Sequence, residues 1–142
     1  MTWTHRITDA NGTAQMRITR VLSVEGGRAR LRSGTTEYVY EVRPGGLFLP
    51  AHGAWLLPWP LEVGRRWRTA GGEARVVETG ARMDTPAGTF SGCVVIEAAP
   101  PEGQERLRQT FCKGVGPVRV EHFVGDRRVR SAVLLAFGRA AP

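Results

Sequence analysis

The sequence predicts an all-β chain: an antiparallel meander of eight to ten strands, curled into an open or half-closed barrel, with little helix. Three observations carry this expectation. Glycine-bearing turn signals recur at short intervals along the chain, with alternating apolar and polar stretches between them. No run long enough for a helix keeps a helical period free of Gly and Pro. Pairing outward from the turns also brings apolar residues opposite apolar ones, and opposite charges together.

Each hairpin can be justified in order. Asn11-Gly12 is a type I′ signal. A two-residue turn there sets Ile7 opposite Met16, His5 opposite Ile18 and, less favourably, Arg6 opposite Arg17. Gly26-Gly27 pairs Glu25 with Arg28, Val24 with Ala29 and Leu22 with Leu31. Gly34-Thr35 pairs Arg32 with Glu37, Leu31 with Tyr38 and Ala29 with Tyr40. Gly45-Gly46 and Gly71-Gly72 supply further turns. A loop over Pro100–Gln104 sets Glu97 opposite Arg108, Val95 opposite Thr110 and Cys93 opposite Cys112. Gly125-Asp126 sets His122 opposite Val129, Glu121 opposite Arg130 and Val118 opposite Val133. The last strand, Val129 to Phe137, is apolar on both sides near its end and is expected to lie centrally.

On these registers one face carries Met16, Ile18, Leu22, Val24, Ala29, Leu31, Tyr38, Tyr40 and Val42. The other carries Arg17, Arg28, Arg30, Arg32, Glu37 and Glu41. A sheet with one greasy and one charged face must fold over or close up to hide the greasy one. The whole chain, 1–142, reads as one β domain. A weak internal repeat relates 3–49 to 67–120, two similar four-strand halves joined by a connector over 50–66.

At 142 residues the chain is long enough to bury about two thirds of its surface. Hydrophobic residues make up 42% and charged residues 23%, which argues against disorder. No apolar run approaches the ~20 residues of a membrane-spanning helix. The formal net charge is +7, and Lys113 is the single lysine among the twenty basic residues. So one-sided a use of Arg, beside abundant Ala, Gly and Val, reads first as the composition of a GC-rich genome. The alternative is a basic nucleic-acid-binding domain using the arginine-rich face. Nucleic-acid readers interleave aromatics on the binding face, whereas Tyr38 and Tyr40 fall on the greasy one.

Little in the chain suggests chemistry. His5, His52 and His122 are far apart and lack ligand-spaced partners, so no metal is expected. Ser91 and Ser131 have no evident base, and neither a Gly-x-Ser-x-Gly elbow nor a phosphate-cradling loop is present. The expectation is therefore no enzyme and no cofactor. Cys93 and Cys112 leave two readings open. Directly opposed across two strands, they can meet disulfide geometry, or they can pack as two small buried thiols.

The stretch Ala54-Trp55-Leu56-Leu57-Pro58-Trp59-Pro60-Leu61 is stiff and apolar and unsuited to a central strand. It reads either as a cap on the folded sheet or as the rim of an apolar site. The second reading names Trp55, Leu57, Trp59, Trp67, Tyr38 and Tyr40 as ligand-binding candidates. Its expected function is a non-catalytic binding or assembly module for a lipid-like molecule or a protein partner. Met1 leads directly into Trp3 and His5 without a basic or apolar leader. As written the chain reads as cytoplasmic, or as an envelope protein whose export segment has been removed.

Three motifs carry a resemblance: Leu61-Glu-Val-Gly64-Arg-Arg-Trp67, Thr85-Pro-Ala-Gly-Thr-Phe90-Ser-Gly-Cys93, and Gly114-Val-Gly116-Pro-Val118. With the opening Trp3-Thr-His-Arg-Ile7, they resemble poorly characterised bacterial β-domains of cell-envelope proteins and lipoproteins. The resemblance implies an antiparallel half-barrel similar to carriers of lipids or lipoproteins, in an exported, lipid-anchored setting. It implies no catalytic residue. The motifs also have plain physical roles. Pro86-Ala-Gly88 makes a turn before a core Phe90, and Gly114 and Gly116 predict a bulge or sharp bend beside Val115.

Overall fold

Turns at glycine cut the chain into strands, and no helix forms among the described residues. The computed structural model describes residues 1–69 and 71–138. Its first six strands are β1 (Thr2–Asp9), β2 (Ala14–Glu25), β3 (Arg28–Ser33), β4 (Thr36–Arg43), β5 (Gly46–Leu49) and β6 (Ala54–Pro58). The second six are β7 (Arg66–Thr69), β8 (Gly72–Thr85), β9 (Gly88–Ala99), β10 (Glu105–Cys112), β11 (Gly116–Val124) and β12 (Arg127–Gly138). The all-β expectation holds, with twelve strands where eight to ten were expected. Pro44-Gly45 splits the stretch after Thr36 into β4 and β5, the span 50–66 contains β6, and Lys113–Val115 reverses the chain between β10 and β11. That reversal replaces the bend predicted at Gly114 and Gly116.

All twelve strands belong to one sheet, ordered β6-β5-β4-β3-β2-β1-β12-β11-β10-β9-β8-β7. Every strand except β6 pairs antiparallel with the next in the chain, and β1 pairs with β12. The last strand therefore lies centrally, as its two-sided apolar pattern predicts. The sheet curls into a nearly closed barrel with one unsealed seam, between β6 and β7. There the strands touch without a hydrogen-bonded ladder. Side chains span this seam. The Trp67 indole Nε1 donates to the Trp55 carbonyl at 3.2 Å, and Leu57 of β6 packs with Ala74, Val76 and Ile96 of β8 and β9.

Several registers match the sequence reading. In the β3–β4 ladder Arg32 faces Glu37, Leu31 faces Tyr38 and Ala29 faces Tyr40. In the β9–β10 ladder Glu97 faces Arg108, Val95 faces Thr110 and Cys93 faces Cys112. Three others differ by one residue. The first turn is longer than a type I′ turn. Asp9 accepts hydrogen bonds from the Asn11 and Thr13 amides, and Gly12 has φ +81°. That is the geometry of a three-residue loop ending in a left-handed residue. Arg6 consequently faces Met16 and His5 faces Arg17, which removes the expected Arg6–Arg17 clash. A bulge at Leu22 puts Val21, not Leu22, opposite Leu31. A bulge at Val129, opposite the His122–Phe123 step, sets His122 opposite Arg130, Glu121 opposite Ser131 and Arg119 opposite Val133.

A one-residue slip moves side chains to the opposite face. Met16 and Ile18 accordingly leave the greasy face and are 69% and 44% exposed, while Arg17 joins Thr19 on the inner wall. Val24 and Val42, near the ends of their strands, are also exposed.

Two buried clusters hold the sheet in its curl, and β9 contributes to both from its alternate faces. Cys93 and Val95 join Ala81, Cys112, Val115, Val118 and Leu134, with Phe90 and Met83 packed beside them. Val94 and Ile96 belong to the cluster that reaches across the seam. The structure joins Cys93 Sγ to Cys112 Sγ, and both residues are almost wholly buried.

Candidate functional site

Because paired residues share a face, the ladders trace rows around the concave wall. One row runs Trp67, Ala74, Ala98, Leu107, His122, Arg130. The next runs Val76, Ile96, Gln109, Val120, Ala132, Ile7. The concave face is thus mostly apolar, with polar side chains at set positions.

The main feature on this wall is a cavity of about 1040 Å³. Leu31, Tyr38 and Tyr40 from β3 and β4 form one side of it, Leu57 and Trp59 another, and Phe111 a third. That volume lies at the upper end of the roughly 300–1,000 Å³ typical of small-molecule sites. Burial pushes the Tyr40 phenol above its ordinary value, and the neighbouring Tyr38 adds to the effect. Trp3 reaches past β12 to the turn after β10, and His5 reaches the start of β11. Trp3 Nε1 donates to the Val115 carbonyl, and His5 Nε2 lies 2.9 Å from the Pro117 carbonyl oxygen. Those bonds pin the far wall. At Gly116 the backbone takes φ +104°, a conformation that disfavours any residue but glycine, beside the Trp3 indole.

The six sequence-predicted ligand residues divide into two groups. Tyr38, Tyr40, Leu57 and Trp59 line the large cavity together. Trp55 and Trp67 line a separate hollow of about 380 Å³, with Leu107 and Ile96. A bulge in β6 explains the split: two positions apart, Trp55 and Leu57 would share a face by simple alternation, but they lie on either side of a register irregularity against β5. Sequence reading did not name Trp3, Phe111 or Arg17 as site residues. The Asp9 side of the first hairpin, which allows a longer turn, held the signal for Arg17.

The outer face is charged, and several of its arginines are paired with carboxylates. Glu41 accepts from Arg28 at 2.9 Å and from Arg43 at 3.0 Å, and Glu37 accepts from Arg32 at 2.8 Å. Glu97 sits between Arg108 at 2.7 Å and Arg75 at 3.6 Å, and Glu121 meets Arg128 at 3.2 Å. The Arg28 hydrogen bond, then that of Arg43, holds the Glu41 carboxyl below its ordinary range, and Arg32 does the same for Glu37. For Glu97, burial pushes upward. The Arg108 hydrogen bond and the charges of Arg108, Arg106 and Arg75 outweigh it, so the net shift is downward. Among the described residues no group of three or more His, Cys, Asp or Glu is placed to hold a metal ion. No helix among them is long and apolar enough to cross a membrane.

An exported protein (so presumed) with a YmcC-like fold from Bacteroides fragilis superposes with a TM-score of 0.62 at 15% identity, covering 97% of this chain and 95% of its own. A presumed lipoprotein from Parabacteroides distasonis superposes with a TM-score of 0.59 at 16% identity, covering 95% and 93%. The chain shares their fold. At this identity the likeness concerns architecture alone, and it agrees with the curled antiparallel sheet that the three motifs imply. No protein-family model matches the chain, and no curated protein does.

Proposed function

We propose that the chain is a non-catalytic binding module that holds a lipid-like molecule on the concave face of its sheet. The observation that carries this reading is the cavity of about 1040 Å³ walled by Leu31, Tyr38, Tyr40, Leu57 and Phe111. Burying a ligand methylene there is worth about 0.8 kcal/mol, and the aromatic walls present large contact area at small entropic cost. No reaction is assigned to the site. The setting we propose is the cell envelope. The shared fold of a presumed exported protein and a presumed lipoprotein supports it, as does a buried disulfide, which persists best in an oxidising compartment.

The nucleic-acid alternative has less support. Part of the arginine set it needs is occupied, since Arg28, Arg32 and Arg128 are tied to Glu41, Glu37 and Glu121, and Tyr38 and Tyr40 line the cavity on the other face. Tryptophan emission and native mass spectrometry across a panel of single-chain lipids test the proposal. A saturable one-to-one complex is expected. No emission change and no bound mass across the panel, alongside salt-sensitive DNA binding at micromolar protein, would favour the alternative.

A further inference from the structure

The concave face carries a second feature that the apolar cavity does not use. Beside it lies a hollow of about 310 Å³ whose wall includes Arg17, Arg130, His122 and Ser131. The hollow and the cavity share His5, Thr19, Ser33 and Pro117, so they are continuous along one wall. Arg17 stands opposite His5 on the β1–β2 ladder, and Arg130 stands opposite His122 on the β11–β12 ladder. Both arginines reach the inner wall through departures from simple hairpin register. The longer first turn brings in Arg17, and the bulge at Val129, opposite the His122–Phe123 step, brings in Arg130.

Charge sets this place apart. Neither Arg17 nor Arg130 makes an ion pair among the described residues; outer-face arginines such as Arg20 and Arg30 also lack one, but Arg17 and Arg130 line the inner hollow beside the apolar cavity. No Asp or Glu lines the hollow. Along the ladder the carboxylate opposite Arg130 is Asp9, whose Oδ1 already accepts from two backbone amides of the first turn. The half-buried Arg17 and the exposed Arg130 therefore flank a small recess that also holds imidazole and hydroxyl groups, next to an apolar enclosure. Planar guanidinium groups bind carboxylate and phosphate oxygens by strong charge-assisted hydrogen bonds. A cation left without a partner beside an apolar wall gains more from such an anion than one in open water.

We propose that this recess is a head-group subsite and that the ligand is an anionic amphiphile. Its single acyl chain lies in the cavity beside Tyr38, Tyr40 and Leu57, and its carboxylate or phosphate lies between Arg17 and Arg130. The inference rests on the lipid-binding reading above and adds the charge and orientation of the ligand. No bond is made or broken.

The test is a set of matched probes: dodecanoate, dodecyl phosphate, dodecanol and inorganic phosphate, each titrated below its aggregation limit. The wild-type protein is expected to bind both anionic chains at least about tenfold more tightly than the alcohol. Arg17→Gln/Arg130→Gln is expected to erase that preference and leave the dodecanol Kd unchanged. Arg17→Lys/Arg130→Lys should keep most of it, and Lys113→Gln, which removes the other cation on the cavity wall, should keep all of it. Far-ultraviolet spectra check that each variant is folded.

Equal wild-type affinity for alcohol and anions overturns the head-group subsite while leaving the lipid reading intact. So does a preference that survives the double Gln variant or disappears in Lys113→Gln alone. Inorganic phosphate binding as tightly as dodecyl phosphate would mark a small-anion site and also overturn the amphiphile. Failure of every chain-bearing probe to bind overturns the lipid reading itself and this inference with it.

Discussion

Removing the Cys93–Cys112 bond tests the β9–β10 register, which supports the far wall of the site. The two residues are separated by 19 positions. Loop-closure entropy for a loop of that length gives about 3 kcal/mol of stability at 25 °C. For a chain of this size each kcal/mol moves Tm by about 2–4 °C, so the loss should appear as roughly 10 °C. The suitable variant is Cys93→Ala/Cys112→Ala. Both sulfurs lie in the buried cluster with Val118 and Leu134, where a reductant has poor access to the folded protein, so the variant is cleaner than chemical reduction. Guanidinium unfolding, read by tryptophan emission at fixed pH and salt, gives the midpoint and slope for both proteins. A thiol count on denatured, non-reduced wild type should find no free thiol. Two free thiols, or a stability loss under about 1 kcal/mol, would refute the reasoning.

Three further outcomes are expected. The ion pairs of Glu97 depress its carboxyl pKa from an ordinary value of 4.5, so their stabilisation is present above that pH and is lost as pH falls through the lower folded value. Urea unfolding should show Glu97→Gln to be less stable than wild type by about 1–2 kcal/mol at neutral pH, with the gap closing in acid; a gap that persists unchanged at low pH would count against the ion-pair origin. Gly72 starts β8 at φ +125°, where an added Cβ would collide with the Ala99 carbonyl. Gly72→Ala should therefore cost about 2 kcal/mol or more in thermal unfolding, and a neutral substitution would mean that the β8 and β9 backbones approach less closely there. Shortening a bound fatty acid from hexadecanoate to dodecanoate removes four methylenes, about 3 kcal/mol or roughly two-hundredfold in Kd. Calorimetry showing no dependence on chain length would contradict burial of the chain.

The sheet was legible wherever a turn had one dominant geometry. Gly34-Thr35 and the Pro100–Gln104 loop led directly to the Leu31–Tyr38 and Glu97–Arg108 pairs, because charge and apolar matching agreed with turn length. At Asn11-Gly12 the same rule failed. Asp9 captures two amides and lengthens the loop, an Asx-turn effect that the Asn-Gly dipeptide alone does not show. The Arg6–Arg17 clash was the visible sign of that error. Bulges at Leu22 and at Val129 were hidden for a related reason, since nothing in the local composition marks them. The large cavity was partly legible. Tyr38, Tyr40, Leu57 and Trp59 meet there, but Trp55 and Trp67 turn into the neighbouring hollow. Their separation depends on the β5–β6 register and on closure at the seam, long-range properties of a curled sheet. The polar recess was invisible for the same cause, because a one-residue shift decides which face an arginine takes.

The central claim is that an acyl chain enters the interior of this curled sheet. A fluorescent polyene fatty acid, titrated into wild type and into Ala29→Trp, probes it most directly, because Ala29 lines the cavity opposite Tyr40 and an indole there would fill the space. Saturable enhancement at one equivalent in wild type, abolished in the folded variant, is expected; no enhancement in wild type, or an equal response from the filled variant, would contradict it.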